Sequence, residues 1–78
     1  MQKGRHYRDK NAIINFGKKV RELRIKKGMT IEEFANSVDL HVTQVGRIER
    51  GETNSTISSI FLIAKKLSVA PSDLVNFD

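Results

Sequence analysis

The stretch TIEEFANSVDLHVTQVGRIERG, residues 30–51, decides the fold. Thr30 followed three positions later by Glu33 is a capping box. The hydroxyl caps the Glu33 N–H, and the carboxylate reaches back to the Thr30 N–H. A helix over about residues 31–38 follows, with Phe34, Ala35 and Val38 turned inward. Asp39-Leu40-His41 reads as a turn. A second short helix is predicted over about residues 42–50, with Val45 and Ile48 as its buried stripe and Gly51 as its stop. Ala35 is small enough to let the two helices approach closely, and Leu40 can plug the gap beneath them.

Working outward, Ile13, Phe16, Val20 and Leu23 recur at helical spacing and predict a first helix from about Ala12 to Lys27, stopped by Gly28. Residues 52–55 form a polar loop. Thr56 is an N-cap for a fourth helix to about Leu67, with Ile57, Ile60, Ile63, Ala64 and Leu67 facing inward. Val69-Ala70 links it to a fifth, in which Pro71 suits the first turn and which runs to about Asn76. No segment alternates as a strand would. The expected fold is all-α, with five helices in one domain over residues 11–78, preceded by a flexible basic arm at residues 1–10.

A chain of 78 residues leaves no room for a separate sensor domain and buries only a modest core. With no cysteine there is neither a disulfide nor a cysteine zinc site, and two distant histidines do not make a metal site, so neither metal nor cofactor is expected. The remaining way to stabilise so small a domain is oligomerisation. No apolar run approaches the roughly 20 residues of a membrane span. The polar N-terminus is not a secretory signal, and a cytoplasmic protein is expected. A Gly-rich phosphate loop, a GxSxG elbow and a metal cluster are all lacking, which argues against an enzyme, and no small-molecule site is legible. Net charge is +5 and unevenly spread: residues 1–28 carry ten Lys/Arg against two acids, residues 29–78 four against seven. A basic balance favours an anionic partner such as nucleic acid.

Two short helices joined by a tight turn are what DNA recognition in the major groove requires: the first braces against phosphate and the second presents its N-terminal residues to base edges. Val42, Thr43, Gln44, Gly46, Arg47 and Arg50 lie off the buried stripe of the second helix. Arg47 is the best base reader, because its planar fork matches guanine O6/N7. Gln44 can read adenine, Thr43 a thymine methyl or a phosphate, and Val42 a thymine methyl. The competing readings are a phosphate-bound or solvated arginine, solvated surface for Thr43 and Gln44, and a core-edge valine. His41 either caps the second helix or donates to phosphate.

Residues 16–75 resemble the phage-repressor/Cro type of helix-turn-helix, the XRE family. The resemblance rests on FGKKVRELRIKKGMTIEEFA, VGRIERGETN and the IAKKLSV segment before SDL. It implies a five-helix domain that binds operator DNA, usually as a symmetric dimer. Asn54-Ser55-Thr56-Ile57 is similar to short stand-alone members such as restriction–modification controllers; many others have proline at position 55. Three positions depart from the family pattern: Ile31 for a phosphate-touching Gln, Asp39 for a turn Gly, and His41 for a Ser/Thr cap. The resemblance further implies backbone contacts around Arg50, Thr53, Asn54 and Thr56, against a reading of these four as ordinary loop and cap chemistry, and a structural pair between Arg24 and Glu49. Lys18, Lys19, Arg21, Lys26 and Lys27 read as a solvated face, and Lys3, Arg5, Arg8 and Lys10 as an arm that either tracks phosphates or is a plain tail. Ile25 falls off the core stripe of its helix. Leu62, Leu74, Val75 and Phe77 are the dimer-interface candidates. An antitoxin-type interaction module that also binds DNA is the alternative function, and a DNA-binding fragment of a longer repressor is a third.

Overall fold

The computed structural model describes residues 7–76. Its helices are α1 (Lys10–Lys26), α2 (Ile31–Ser37), α3 (Val42–Glu49), α4 (Ile57–Leu67) and α5 (Pro71–Val75), and no strand occurs among the described residues. This is the expected all-α, five-helix architecture, with α2 and α3 as the helix-turn-helix pair. The first helix starts earlier than its apolar spacing indicates. Asp9 caps it by accepting from the Ala12 N–H at 3.0 Å, so Lys10, expected in the arm, is helical. Arg8 lies just before that cap, whereas Lys3 and Arg5 fall outside the described residues.

The capping box of α2 is complete: Glu33 N–H donates to the Thr30 hydroxyl at 3.0 Å, and Thr30 N–H donates to the Glu33 carboxylate at 2.8 Å. At the other ends, α1 to α4 are each closed by a residue with positive φ: Gly28 (74°), Asp39 (55°), Gly51 (74°) and Ser68 (60°). The following N–H returns to a carbonyl five residues back in every case, as in Met29 to Arg24 (3.2 Å), Leu40 to Ala35 (3.0 Å), Glu52 to Arg47 (2.9 Å) and Val69 to Ala64 (3.0 Å). These are Schellman closures, which satisfy carbonyls that a helix end leaves open. Asp39 and Ser68 adopt the left-handed conformation without being glycine, at a cost of roughly 1 kcal/mol each.

The core gathers Phe16 and Val20 of α1, Phe34, Ala35 and Val38 of α2's turn side, Val45 and Ile48 of α3, Ile63, Ala64 and Leu67 of α4, and Leu74 of α5. Leu40 and Ile31 pack against it, so the turn leucine does fill the space under the helix pair. Two apolar assignments are corrected. Ile57, expected on the inner face, is 71% exposed, because it sits in the first turn of α4 beyond the edge of the stripe that meets α1 and α5. Leu74, expected at a dimer interface, is fully buried in the domain's own core and has no surface left to give a partner.

One close approach had no signal in the apolar pattern. Gly17 of α1 lies against the end of α3, where an added Cβ would stand inside van der Waals distance of the Ile48 carbonyl oxygen and 3.0 Å from that of Glu49. Beside it, Arg24 donates through Nε to one Glu49 oxygen at 2.7 Å and through Nη2 to the other at 3.0 Å. Its Nη1 reaches the Met29 carbonyl at 2.8 Å, which ties α1, the α1–α2 link and α3 together. This bidentate pair is mostly shielded from solvent, and the Glu49 carboxylate holds the Arg24 guanidinium above its ordinary value.

Candidate nucleic-acid interface

The recognition surface is built from the buried side of α3 outward. Val45 and Ile48 anchor the helix on α1 and α2, which leaves Thr43, Gln44 and Arg47 exposed on the opposite side. The Arg47 side chain makes no hydrogen bond or ion pair among the described residues, so its fork is available to a ligand. A cleft of about 220 Å³ runs beside it, lined by Leu40, Gln44, Arg47, Thr53, Asn54, Thr56 and Ser59 among others. The fold thus brings Gln44 and Arg47 of α3 together with Thr53, Asn54 and Thr56, up to a dozen positions away in sequence, on one concave surface, whereas Val42, Thr43 and Arg50 lie outside this cleft.

The local chemistry sorts the remaining candidates. His41 caps α3: its Nδ1 accepts from the Thr43 N–H at 3.3 Å, and the Gln44 side chain accepts from the His41 N–H at 2.8 Å. An accepting Nδ1 places the ring proton on Nε2, which faces away from the helix end and can still donate to a phosphate. Gln44 is more constrained. Its oxygen accepts the cap bond with one lone pair and its NH2 is free, so it can still meet a base edge only in the orientation that the cap imposes. Val42 is half-buried against the core, with only its edge open to a thymine methyl. Thr56 caps α4 by accepting from the Ser59 N–H at 3.1 Å, and its hydroxyl donates to the Ser59 hydroxyl at 3.0 Å. Asn54 is exposed and Thr53 half-buried.

Gly46, expected on the open face, is buried. The Arg50 guanidinium lies over it, 3.0 Å from where a Cβ would stand. Arg50 is held there by Glu52, a residue that the sequence pattern did not single out: Nε donates to one Glu52 oxygen at 2.8 Å. The signal for Glu52 was only its place after a glycine helix stop, where the chain doubles back. The hydroxyl of Ser55 is buried without a hydrogen-bond partner among the described residues.

The dimer candidates also separate. Leu62 is at the margin of exposure, 37%, beside Val38 and Leu40 in a shallow hollow, and Val75 is 47% exposed. Phe77 lies outside the described residues. Phe61, one turn from Ile57, is also 59% exposed; with Ile57 read as inward, the apolar spacing does not mark it as surface. Ile25 is 54% exposed, as its position off the stripe requires. Among the described residues there is no group of side chains suited to a metal ion, and no helix is long and apolar enough to cross a membrane.

Comparison with known proteins agrees with this geometry. Residues 20–74 match the family described as Helix-turn-helix. The control protein C.BamHI of Bacillus amyloliquefaciens is 43% identical over 68 residues, covering 86% of this chain and 84% of that protein. An HTH-type transcriptional regulator of Archaeoglobus fulgidus is 33% identical over 60 residues, covering 77% of this chain and 86% of its own. Among solved structures, the restriction–modification controller protein C.AhdI of Aeromonas hydrophila superposes with a TM-score of 0.76 at 35% identity, covering 80% of this chain and 94% of the other.

Proposed function

Because the chain belongs to the helix-turn-helix family of DNA-binding transcriptional regulators, we propose that it works in the cytoplasm as a homodimer on a (pseudo)palindromic operator and controls a restriction–modification operon. The observation that carries the DNA-reading part is the unpaired Arg47 on the open face of α3, in the same cleft as the α3–α4 loop. Arg47 reads a guanine, Thr43 and the edge of Val42 meet neighbouring bases, and His41, Arg50, Thr53 and Asn54 position the protein on phosphates. Thr56 contributes through the helix start that it caps. The controller assignment is supported by the 43% identity to C.BamHI. No catalytic step is part of this function.

Dimerisation is supported by the apolar side chains left exposed on the last two helices: Ile57, Phe61 and Leu62 on α4, and Val75 on α5. A two-fold pair would place two copies of α3 in successive major grooves, roughly 34 Å apart.

The test is selection of an operator from a random duplex pool, followed by binding to it and to each single-base variant. Arg47→Ala should cost about 1–3 kcal/mol on the operator and relax preference at one base pair per half-site. Loss of the same factor on every variant would assign Arg47 to the backbone and leave specificity to Thr43, Gln44 or DNA shape.

A further inference from the structure

We propose that Glu52 is a positioning residue that holds Arg50 away from the DNA backbone in the free protein, so that a phosphate must displace a carboxylate to capture it. The proposal rests on the reading of Arg50 as a backbone contact. Its basis is where the chain puts an anion. Gly51 turns with φ of 74°, and the Glu52 N–H closes back on the Arg47 carbonyl at 2.9 Å, which returns residue 52 to the C-terminal end of α3. Gly51 is confined there, since a Cβ would lie 2.8 Å from the Ile14 side chain and 2.9 Å from its backbone. The turn, and with it the place of Glu52, is therefore fixed.

A helix C-terminus disfavours negative charge. Here the carboxylate is answered by Arg50, through Nε at 2.8 Å and a longer Nη2 approach at 3.5 Å. Lys18 and Arg21 of α1 line the same hollow, together with Glu22 and Glu49, yet the bond goes to Arg50. The Arg50 bond also holds the Glu52 carboxyl below its ordinary value, with smaller help from the charges of Arg50 and Arg47. Glu52 thus sits within the field of both cations that the interface needs. Both partners are more than half exposed, and an exposed pair of this kind adds little to stability. Its consequence is for binding: it takes one cation out of the set that meets phosphate and leaves a negative charge next to the approaching backbone.

Fluorescence anisotropy of the full chain tests this, using the selected operator and a scrambled duplex of equal length over a range of salt. Glu52→Gln should tighten binding to both duplexes by about three- to ten-fold at low salt and steepen the salt dependence by about one phosphate contact. Phosphate contacts carry no sequence information, so both duplexes should gain alike. Glu52→Asp, which keeps the charge, should stay near the parent protein. In an Arg50→Ala background the gain from Glu52→Gln should shrink to the smaller part that comes from removing a negative charge alone. An equal gain in that background, or no gain in either, overturns the proposal. Arg50→Ala alone separates the two readings: if it leaves affinity and salt dependence unchanged, Arg50 is not a backbone contact and both fall, whereas a loss there with no Glu52→Gln effect removes only the role of Glu52. Thermal midpoints of the Glu52 variants should match the parent, because the side chain is exposed.

Discussion

Gly17→Ala sets two physical effects against each other. In a helix interior, alanine is favoured over glycine by about 0.5–1 kcal/mol, so helix propensity alone predicts a stabilised protein. The tertiary contact predicts the reverse. The new methyl would press on the Ile48 and Glu49 carbonyls, which are backbone and cannot swing aside. Relief requires α1 to back away from α3, which would loosen Phe16 and Val20 against Val45 and Ile48 and stretch the 2.7 Å Arg24–Glu49 bond. Overpacking of this kind costs about 1–3 kcal/mol, and loss of the shielded pair adds to it. A net destabilisation of about 2 kcal/mol is expected, a fall of roughly 10 °C in Tm for a domain of this size. Thermal and urea unfolding at one fixed protein concentration, so that any self-association is held constant, measure it. Gly28→Ala is the control: nothing lies within 4 Å of its Cβ, so only the positive φ matters and about 1 kcal/mol is lost. A Gly17→Ala protein as stable as the parent, or more so, would refute the reasoning.

Glu49→Ala removes the two charge-assisted bonds of a partly buried Arg24 guanidinium and should cost about 1–3 kcal/mol, whereas Arg24→Met with Glu49→Leu should recover most of that loss in the same unfolding assay. Asp39→Gly removes a left-handed strain that glycine does not feel and should raise stability by about 0.5 kcal/mol after the greater freedom of the unfolded glycine is counted. Ser55→Ala deletes a buried hydroxyl that has no partner among the described residues and should be neutral or stabilising by up to about 1 kcal/mol. The Glu52 carboxyl is held below its ordinary value by Arg50, so the pair is complete above the ordinary carboxylate range and is lost only as pH falls through the lowered value; an NMR titration should show Glu52 protonating at lower pH in the parent than in Arg50→Ala. Phe61→Glu should yield a monomer in sedimentation analysis at concentrations where the parent is a dimer, and an unchanged dimer would move the interface elsewhere.

Features that depend on spacing along one chain are legible in the residues alone. Capping at Thr30 and Thr56, the glycine stops at 28 and 51, Pro71 at the start of α5 and the inward stripes of α1 to α3 are all set by neighbours within four residues, so they are legible without coordinates. The family pattern added the Arg24–Glu49 pair, which spacing could not supply across 25 residues. Where the elements meet is set by packing in three dimensions. Leu74 is core and Ile57 is surface because α5 folds back on α1 and α4, and the period of either helix alone does not say where its stripe ends. Gly17 is a contact because α3 crosses there. Gln44 is limited to one orientation toward a base because its oxygen accepts the cap bond from His41, and Arg50 is restrained because the Gly51 turn carries Glu52 back to it. In each case the deciding partner is brought near by a turn or a helix crossing, and side-chain chemistry at that distance has no periodic trace in the sequence.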